Sequence, residues 1–274
     1  MHLVYESARH NNGMHPTADT PPLILINRSG RRVMPGVRRF RCSPERRSLV
    51  FAINHAATAL LIKRRFPEEP IIPLLLSVQL MELLWVALNL LGVERTTTEP
   101  SVRSVSDIHL AFMPYSHSVV MSLAFAAVAW FLLSALFRQS RLGLAVALGV
   151  TSHLVLDLVT HARDIPLAPG FEHIKFGLGL YSAFPLAAFI VELLYGIFCW
   201  RVYKGGKMLL AVIVLFNAAN LSILSPAVPG PESLLANRPT AVVLFIFAQI
   251  LVTLFLVGFY SLRPPPHYLM ARRI

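Results

Sequence analysis

Long apolar runs, which recur from Ser48 almost to the end of the chain, constrain the fold more than any other feature of the sequence. Most of them are about 20 residues long, which is the length that an α-helix needs to cross a bilayer. Of the 274 residues, 55% are hydrophobic and only 14% are charged, whereas soluble proteins have about 25% charged residues. The sequence therefore excludes an ordinary soluble enzyme, a disulfide scaffold and a disordered tail protein. It predicts an all-α, polytopic bundle of transmembrane helices.

The apolar runs predict about seven spans, or six if the first and shortest run does not cross the bilayer. They cover residues 48–63, 70–93, 116–137, 142–161, 176–200, 207–228 and 239–262. This predicted transmembrane domain comprises residues 48–274. It has a core in residues 48–165, and residues 176–274 add three spans to that core.

Residues 1–47 differ in character from the rest of the chain. They contain five prolines and nine arginines, and they show neither a helical nor a strand periodicity. No apolar segment follows the first charges, so these residues do not form a secretory signal peptide. We interpret them as a disordered or mis-assigned N-terminal extension.

The loop charges predict the orientation in the membrane. The loops on one side of the predicted bundle carry eleven basic and two acidic residues, and those on the other side carry five basic and six acidic ones. Because basic loops stay in the cytoplasm, we expect a cytoplasmic C-terminus in a bacterial-type inner membrane. Basic loops beside spans also account for much of the net charge of +11. No basic patch is interleaved with aromatic residues, so we expect no nucleic-acid partner.

Ionisable side chains inside the spans indicate a functional site or a buried pair, because burying one in the bilayer costs about 2.5–3.5 kcal/mol on insertion scales. His153, Asp157 and His161 follow one another at intervals of four residues, so they form one stripe along the fourth span. A histidine and a carboxylate one turn apart can reach a single cation, as in zinc-binding helices. A hydrogen-bonded pair that only joins helices would have the same spacing. Glu192, in the fifth span, is interpreted as such a structural partner.

Further candidate ligands lie in three other predicted helices. His55 lies in the outer half of the first span, Glu82 lies near the middle of the second, and His117 lies at the outer end of the third. In the predicted orientation these side chains lie at a depth similar to that of the stripe in the fourth span. Nitrogen and oxygen ligands of this kind suit Zn²⁺, with Mn²⁺ or Fe²⁺ as alternatives. The sequence thus predicts a metal centre that faces outward.

The order of these residues resembles that of a known family. His55, the step Ser116-His117-Ser118 and the helix Ser152-His153-x-x-x-Asp157 are similar to motifs of the YdjM-like family of inner-membrane metal-dependent hydrolases. The resemblance covers roughly residues 50–165. It implies that the metal ligands are His55, His117, His153 and Asp157.

The chain departs from the family pattern in three places. Glu82 is the only acid near the position where the family has an Asp-rich turn, and Met113-Pro114-Tyr115 replaces a His-Arg-Gly sequence. Residues 176–274 add three spans that the small members of the family do not need. Metal binding is therefore the better supported part of the resemblance.

The predicted function follows from the chemistry of such a metal. A catalytic zinc ion with three protein ligands keeps one position open for a water that ionises near neutral pH. Glu82 or His161 would then serve as the catalytic general base. Because the site lies at the depth of the outer leaflet, we expect a lipid-like ester or phosphoester as the substrate. We therefore predict a metal-dependent hydrolase embedded in the lipid bilayer.

Two other functions would use the same residues. In an ion- or proton-coupled transporter, His55, Glu82, His153 and Asp157 would form an ion path. Inverted repeats and broken helices favour such a carrier, and the sequence shows no internal repeat. In a structural or partner-binding membrane protein, the polar groups would only hold helices together. Alanine at His153 or Asp157 would then lower stability without any loss of metal.

Overall fold

The computed structural model describes residues 25–26, 32–33, 51–102, 107–225, 228, 230 and 234–262. The chain divides into two units, Met1–Ser43 and Pro44–Ile274. In the first unit, strand β1 (Leu25–Ile26) pairs antiparallel with strand β2 (Arg32–Val33). Apart from this pair, the predicted extension over residues 1–47 lies outside the described residues.

The second unit consists mainly of helices, and short antiparallel strand pairs lie in its connections. Its first half contains α1 (Ala52–Arg65), α2 (Ile71–Val78), α3 (Leu80–Leu90), β3 (Arg95–Thr98), β4 (Ile108–Phe112), α4 (Val119–Phe131) and α5 (Ser140–Thr160). Its second half contains β5 (Ile165–Pro166), β6 (Lys175–Phe176), α6 (Leu180–Ala183), α7 (Pro185–Tyr203), α8 (Lys207–Ala219), α9 (Leu221–Leu224) and α10 (Pro239–Ser261). Strand β3 pairs with β4, and β5 pairs with β6.

Within the described part of the chain, four helical segments are long and apolar enough to cross a membrane. They are α4 together with the π-helical turn that extends it to Leu136, α5, α7 and α10. Helices α2 and α3 together would form a fifth span, which is bent by 55° at Gln79. The chain is therefore an integral membrane protein with a helical fold, as predicted.

The predicted number of about seven spans is not confirmed, because α1 and α8 are too short. Helix α1 has 14 residues and α8 has 13, which correspond to about 20 Å of helix. The hydrocarbon core of a bilayer is about 30 Å thick. Helix α1 ends at the basic run 63–65, and α8 ends at Asn220, after which the chain continues in the four-residue helix α9.

Helix α1 lies at the centre of the helical unit. It packs against α2, α5, α7, α8 and α10, and Ala56, Ala57, Ala59 and Leu60 are fully buried. A helix enclosed by its neighbours in this way can carry polar side chains without exposing them to lipid. The first apolar run of the sequence thus forms a short core helix that holds Asn54 and His55.

The contact between α2 and α5 depends on Gly149 in α5. A Cβ atom at this position would lie 1.9 Å from Oγ of Ser77 and 2.8 Å from its Cβ. Both distances are shorter than van der Waals contact allows. The missing side chain therefore lets α5 approach the end of α2, where Ser77 and Val78 are buried.

We expect Gly149→Ala to lower the free energy of unfolding by about 1–3 kcal/mol, the usual cost of overpacking a buried contact. Thermal unfolding of the detergent-purified variant measures this loss. The matched control is Gly206→Ala, because an added Cβ at Gly206 would meet no atom within 4 Å. Equal stability of the two variants would show that α2 and α5 do not need this close approach.

Candidate metal centre

A cluster of buried histidines and carboxylates lies where α1, α3 and α5 meet the segment before α4. We call it the His/carboxylate cluster, and it consists of His55, Glu82, His117, His153, Asp157 and His161. Each of these residues is at most 3% exposed. The structure thus brings together all six residues that the sequence singled out as ligands or general bases.

Local structure explains how several of these side chains reach the cluster. His153 and Asp157 lie one turn apart in α5, and His161 directly follows the end of that helix. Glu82 lies in the first turn of α3, just after the bend at Gln79. That bend is tied to α1, because Nε2 of Gln79 donates a hydrogen bond of 2.7 Å to the carbonyl oxygen of Ala52.

His117 lies just before α4. The N-terminus of α4 is capped by Ser118, whose hydroxyl oxygen accepts a hydrogen bond of 3.4 Å from the backbone N–H of Met121. Such a cap satisfies one of the free N–H groups of the first helical turn. It defines where the helix begins, so His117 stays outside the helix and close to the cluster.

Asp157 lies at the centre of the cluster. Its Oδ1 is 3.5 Å from Nε2 of His55 and 4.0 Å from Nε2 of His161. Its Oδ2 is 3.2 Å from Nε2 of His153 and 3.8 Å from Nε2 of His117. The same nitrogen atom of all four imidazole rings therefore faces a single carboxylate.

The other ring nitrogens of His153 and His161 are held by hydrogen bonds that point away from Asp157. Nδ1 of His153 lies 2.9 Å from the carbonyl oxygen of Val78, and Nδ1 of His161 lies 3.2 Å from Oδ1 of Asp164. A carbonyl or carboxylate oxygen can only accept a hydrogen bond, so each Nδ1 carries the proton. Nε2 then has a free lone pair that points into the cluster, as in metal-binding histidines.

His117 is oriented by a chain of two hydrogen bonds. The Ser116 hydroxyl donates to Oε2 of Glu94 at 2.6 Å, so its oxygen accepts from Nδ1 of His117 at 2.8 Å. Oε1 of Glu94 accepts hydrogen bonds of 2.9 and 2.8 Å from the backbone N–H groups of Tyr115 and Ser116. This Glu94–Ser116–His117 relay leaves the lone pair of His117 on Nε2, where it faces Glu82 at 3.7 Å.

The sequence did not identify Glu94 as part of the site. Glu94 precedes Ser116 by 22 residues, and it belongs to the connection between α3 and β3, where a carboxylate is ordinarily solvated. No local motif joins the two residues. The contact forms because the β3–β4 hairpin brings the chain back to the start of α4.

The cluster contains a concentration of buried polar atoms that lack a hydrogen-bond partner. Within the described residues, these atoms include Nδ1 and Nε2 of His55, Oε2 of Glu82, Nε2 of His117, Nε2 of His153, Oδ1 of Asp157 and Nε2 of His161. Buried polar groups in native proteins are nearly always satisfied. A divalent cation is the natural partner for several lone pairs that converge on one place, so the residues fit a metal ion.

Glu192 lies in a different polar group. Its Oε1 accepts a hydrogen bond of 2.7 Å from the hydroxyl of Tyr181, and its other oxygen accepts one from Nδ2 of Asn54. Asn54 also donates to Oδ1 of Asn217 at 2.9 Å. This α1–α7–α8 network joins three helices, and it includes the residue immediately before His55.

Comparison with protein families gives a match over part of the chain. Residues 110–227 match the model of a family described as YdjM inner membrane protein. This segment is therefore similar to the YdjM proteins. The matched segment contains His117, His153, Asp157 and His161. It begins after His55 and Glu82, and it ends beyond the range of roughly residues 50–165 that the sequence motifs indicated. Comparisons with curated proteins and with solved structures find no match.

The buried position of Glu94 leads to a prediction about stability. We expect Glu94→Gln to lower the free energy of unfolding by about 1.5–3 kcal/mol, because a buried carboxylate that accepts three hydrogen bonds loses its charge. The matched control is Glu99→Gln: the side chain of Glu99 is 48% exposed and pairs with His109, and exposed pairs contribute about 0–1 kcal/mol. Thermal unfolding in detergent compares the two. If both variants are equally stable, Glu94 does not anchor the relay.

Proposed function

We propose that the protein is a metal-dependent hydrolase of a bacterial-type inner membrane. The residues that would hold a divalent cation are His55, His117, His153 and Asp157. The observation that carries this proposal is the convergence of buried, unpartnered Nε2 atoms on the carboxylate of Asp157. Imidazole nitrogen and carboxylate oxygen suit Zn²⁺, and Mn²⁺ and Fe²⁺ are alternatives. The similarity to YdjM inner membrane proteins over residues 110–227 supports the location.

A purely structural role fits these contacts poorly. If the histidines served only to hold helices together, their buried nitrogen atoms would be hydrogen-bonded, since an unsatisfied buried group costs about 1–3 kcal/mol. Instead, the hydrogen bonds are made by the Nδ1 atoms, which face away from Asp157. Their partners belong to Val78, Ser116 and Asp164. This pattern orients lone pairs toward a common point, which is the arrangement that a metal ion requires.

Glu82 and His161 are the candidates for the general base. A bound metal ion supplies Lewis-acid activation of water and of an ester or phosphoester group. Oε2 of Glu82 has no hydrogen-bond partner within the described structure, so it is free to accept a proton. His161 is held by Asp164, and a carboxylate that orients a histidine is the usual partner of a histidine base.

The site lies on the outer side of the membrane in the proposed orientation. Helix α4 begins and α5 ends beside the cluster, and the basic residues 63–65, 138 and 141 lie at the opposite ends of α1, α4 and α5. By the positive-inside rule these opposite ends are cytoplasmic. The end of α10 would lie on the same side, because the hydroxyl of Tyr203, at the basic end of α7, donates a hydrogen bond of 2.9 Å to the carbonyl oxygen of Ser261.

A cleft supports the choice of an amphiphilic substrate. It is lined in part by Glu94, Arg95 and Pro239, so it adjoins the relay that orients His117. Arg95 is exposed, and its charge would favour an anionic headgroup at the outer leaflet. A lipid-like ester or phosphoester has both the chain and the headgroup that this position favours.

We expect the purified protein to contain a divalent cation, and we expect His153→Ala and Asp157→Ala to remove it. Elemental analysis of protein in detergent measures the metal per chain. The control is His109→Ala, because His109 lies in β4, where it pairs with Glu99 outside the cluster. Wild-type protein that holds no metal, even after incubation with Zn²⁺ or Mn²⁺, would overturn the proposal. The cluster would then have to be an ion path or a structural pair.

Replacement of the general base is expected to lower turnover by about 10²–10⁴-fold. Glu82→Gln and His161→Gln are each compared with wild type on a p-nitrophenyl ester and on bis(p-nitrophenyl) phosphate in mixed micelles. The His109→Ala variant serves again as the control and should retain wild-type turnover. If neither Glu82→Gln nor His161→Gln slows hydrolysis, neither residue is the base.

A further inference from the structure

The donors of the His/carboxylate cluster form two sets. In the first, ligand atoms of His55, His153 and Asp157 all lie within 4.8 Å of one another; in the second, those of Glu82, His117 and His153 do. His153 is close enough to belong to both. It can bind only one ion, however, because its Nδ1 is bonded to the carbonyl oxygen of Val78 and only Nε2 is free.

The carboxylate of Asp157 has one oxygen for each set. Its Oδ1 lies 3.5 Å from Nε2 of His55, on the side of the first set. Its Oδ2 lies 3.2 Å from Nε2 of His153, which both sets contain, and 3.8 Å from Nε2 of His117, which belongs to the second set alone. If His153 is assigned to the first set, where its ring stacks on His55 with centroids 4.0 Å apart, each set still has three ligand residues.

A single ion would leave much of the cluster unused. A catalytic zinc ion takes three protein ligands and keeps one position open. One ion bound by His55, His153 and Asp157 would leave Nε2 of His117 and Oε2 of Glu82 buried without a partner among the described residues. Each such atom costs about 1–3 kcal/mol. A second ion, placed between Glu82 and His117, would satisfy both residues.

We propose that the centre holds two divalent cations bridged by the carboxylate of Asp157, an inference that rests on the proposed metal centre. His55 and His153 complete the site of the first cation, and Glu82 and His117 complete that of the second. Glu82 is then a metal ligand. The general base is His161, which is held in place by its 3.2 Å contact with Asp164.

Two cations also select the substrate class. The ligands Asp157 and Glu82 contribute two negative charges against four positive ones, so the cations and their ligands together have an excess of positive charge. Glu94 and Asp164 lie behind the rings of His117 and His161 and are not ligands. An anionic group bound there would reduce this excess. A phosphoester supplies such a group and a carboxylic ester does not, and pairs of metal ions about 3.5–4 Å apart are typical of phosphatases and nucleases. The substrate is therefore a phosphoester with an apolar chain.

The number of ions per chain tests this proposal. Detergent-purified protein is loaded with Mn²⁺, freed of excess ion by gel filtration and analysed for metal and protein. We expect two ions in the wild type, and one in Glu82→Gln and in His117→Gln, because each loses a ligand of the second cation. The matched control is Glu99→Gln, in which a glutamate that pairs with His109 outside the cluster is changed in the same way. It should retain two ions.

Electron paramagnetic resonance gives a second readout, which does not depend on the measured ratio of metal to protein. Two Mn²⁺ ions bridged by one carboxylate couple to each other, so the fully loaded wild type should show a broadened signal. Glu82→Gln should show the resolved hyperfine pattern of an isolated ion.

One ion per wild-type chain, unchanged in Glu82→Gln and without coupling, would overturn the two-cation proposal and leave the single-metal hydrolase intact. No bound ion in the wild type would overturn both. On bis(p-nitrophenyl) phosphate, wild type loaded with two ions should be at least about 10-fold faster than Glu82→Gln. Equal rates would also contradict the second site.

Discussion

The carboxylate of Asp157 is the group on which the arrangement of the helical unit depends. It is 2% exposed in an apolar helix, and an isolated buried carboxylate costs several kcal/mol. The protein surrounds it with Nε2 atoms from α1, from α5 and from the segments that flank α4 and α5. The proposed cation would join their lone pairs to the carboxylate, so these parts of the chain must converge at one depth. These contacts therefore fix the relative positions of α1, α5 and the start of α4.

The groups that orient the imidazole rings come from places where regular structure ends. Val78 is the last residue of α2, and the final carbonyl groups of a helix have no donor within it, so this oxygen is available to His153. Ser116 and Glu94 lie in the connections around the β3–β4 hairpin, and Asp164 lies just after α5. The bend at Gln79 therefore leaves the carbonyl oxygen of Val78 free to accept the hydrogen bond from His153. A continuous helix would satisfy the carbonyl of Val78 internally.

The residues of the cluster could be predicted from the sequence because ionisable side chains are rare in membrane spans, where burying them costs free energy. The periodicity of His153, Asp157 and His161 located one face of α5, and the loop charges brought His55, Glu82 and His117 to a similar depth. The predicted number of about seven spans is not confirmed, because the hydropathy of a sequence measures composition and does not show which helices other helices enclose. Helix α1 is apolar and also enclosed by other helices. Glu94 and Asn54 were missed because their partners lie 22 and 138 residues away, where no local pattern can join them.

The enclosure of α1 by other helices suits the side chains it carries. Asn54 and His55 occupy consecutive positions, about 100° apart around the helix, so one apolar neighbour could not shield both from lipid. Helix α1 meets α5 and the cluster on one side, and on another it meets α7 and α8, where Glu192 and Asn217 bind Asn54. The α1–α7–α8 network thus restricts the rotation of α1 about its axis and directs His55 toward Asp157. Both ring nitrogens of His55 lack a hydrogen-bond partner within the described structure, so the position of α1 and the stacking of the ring on His153 have to orient it.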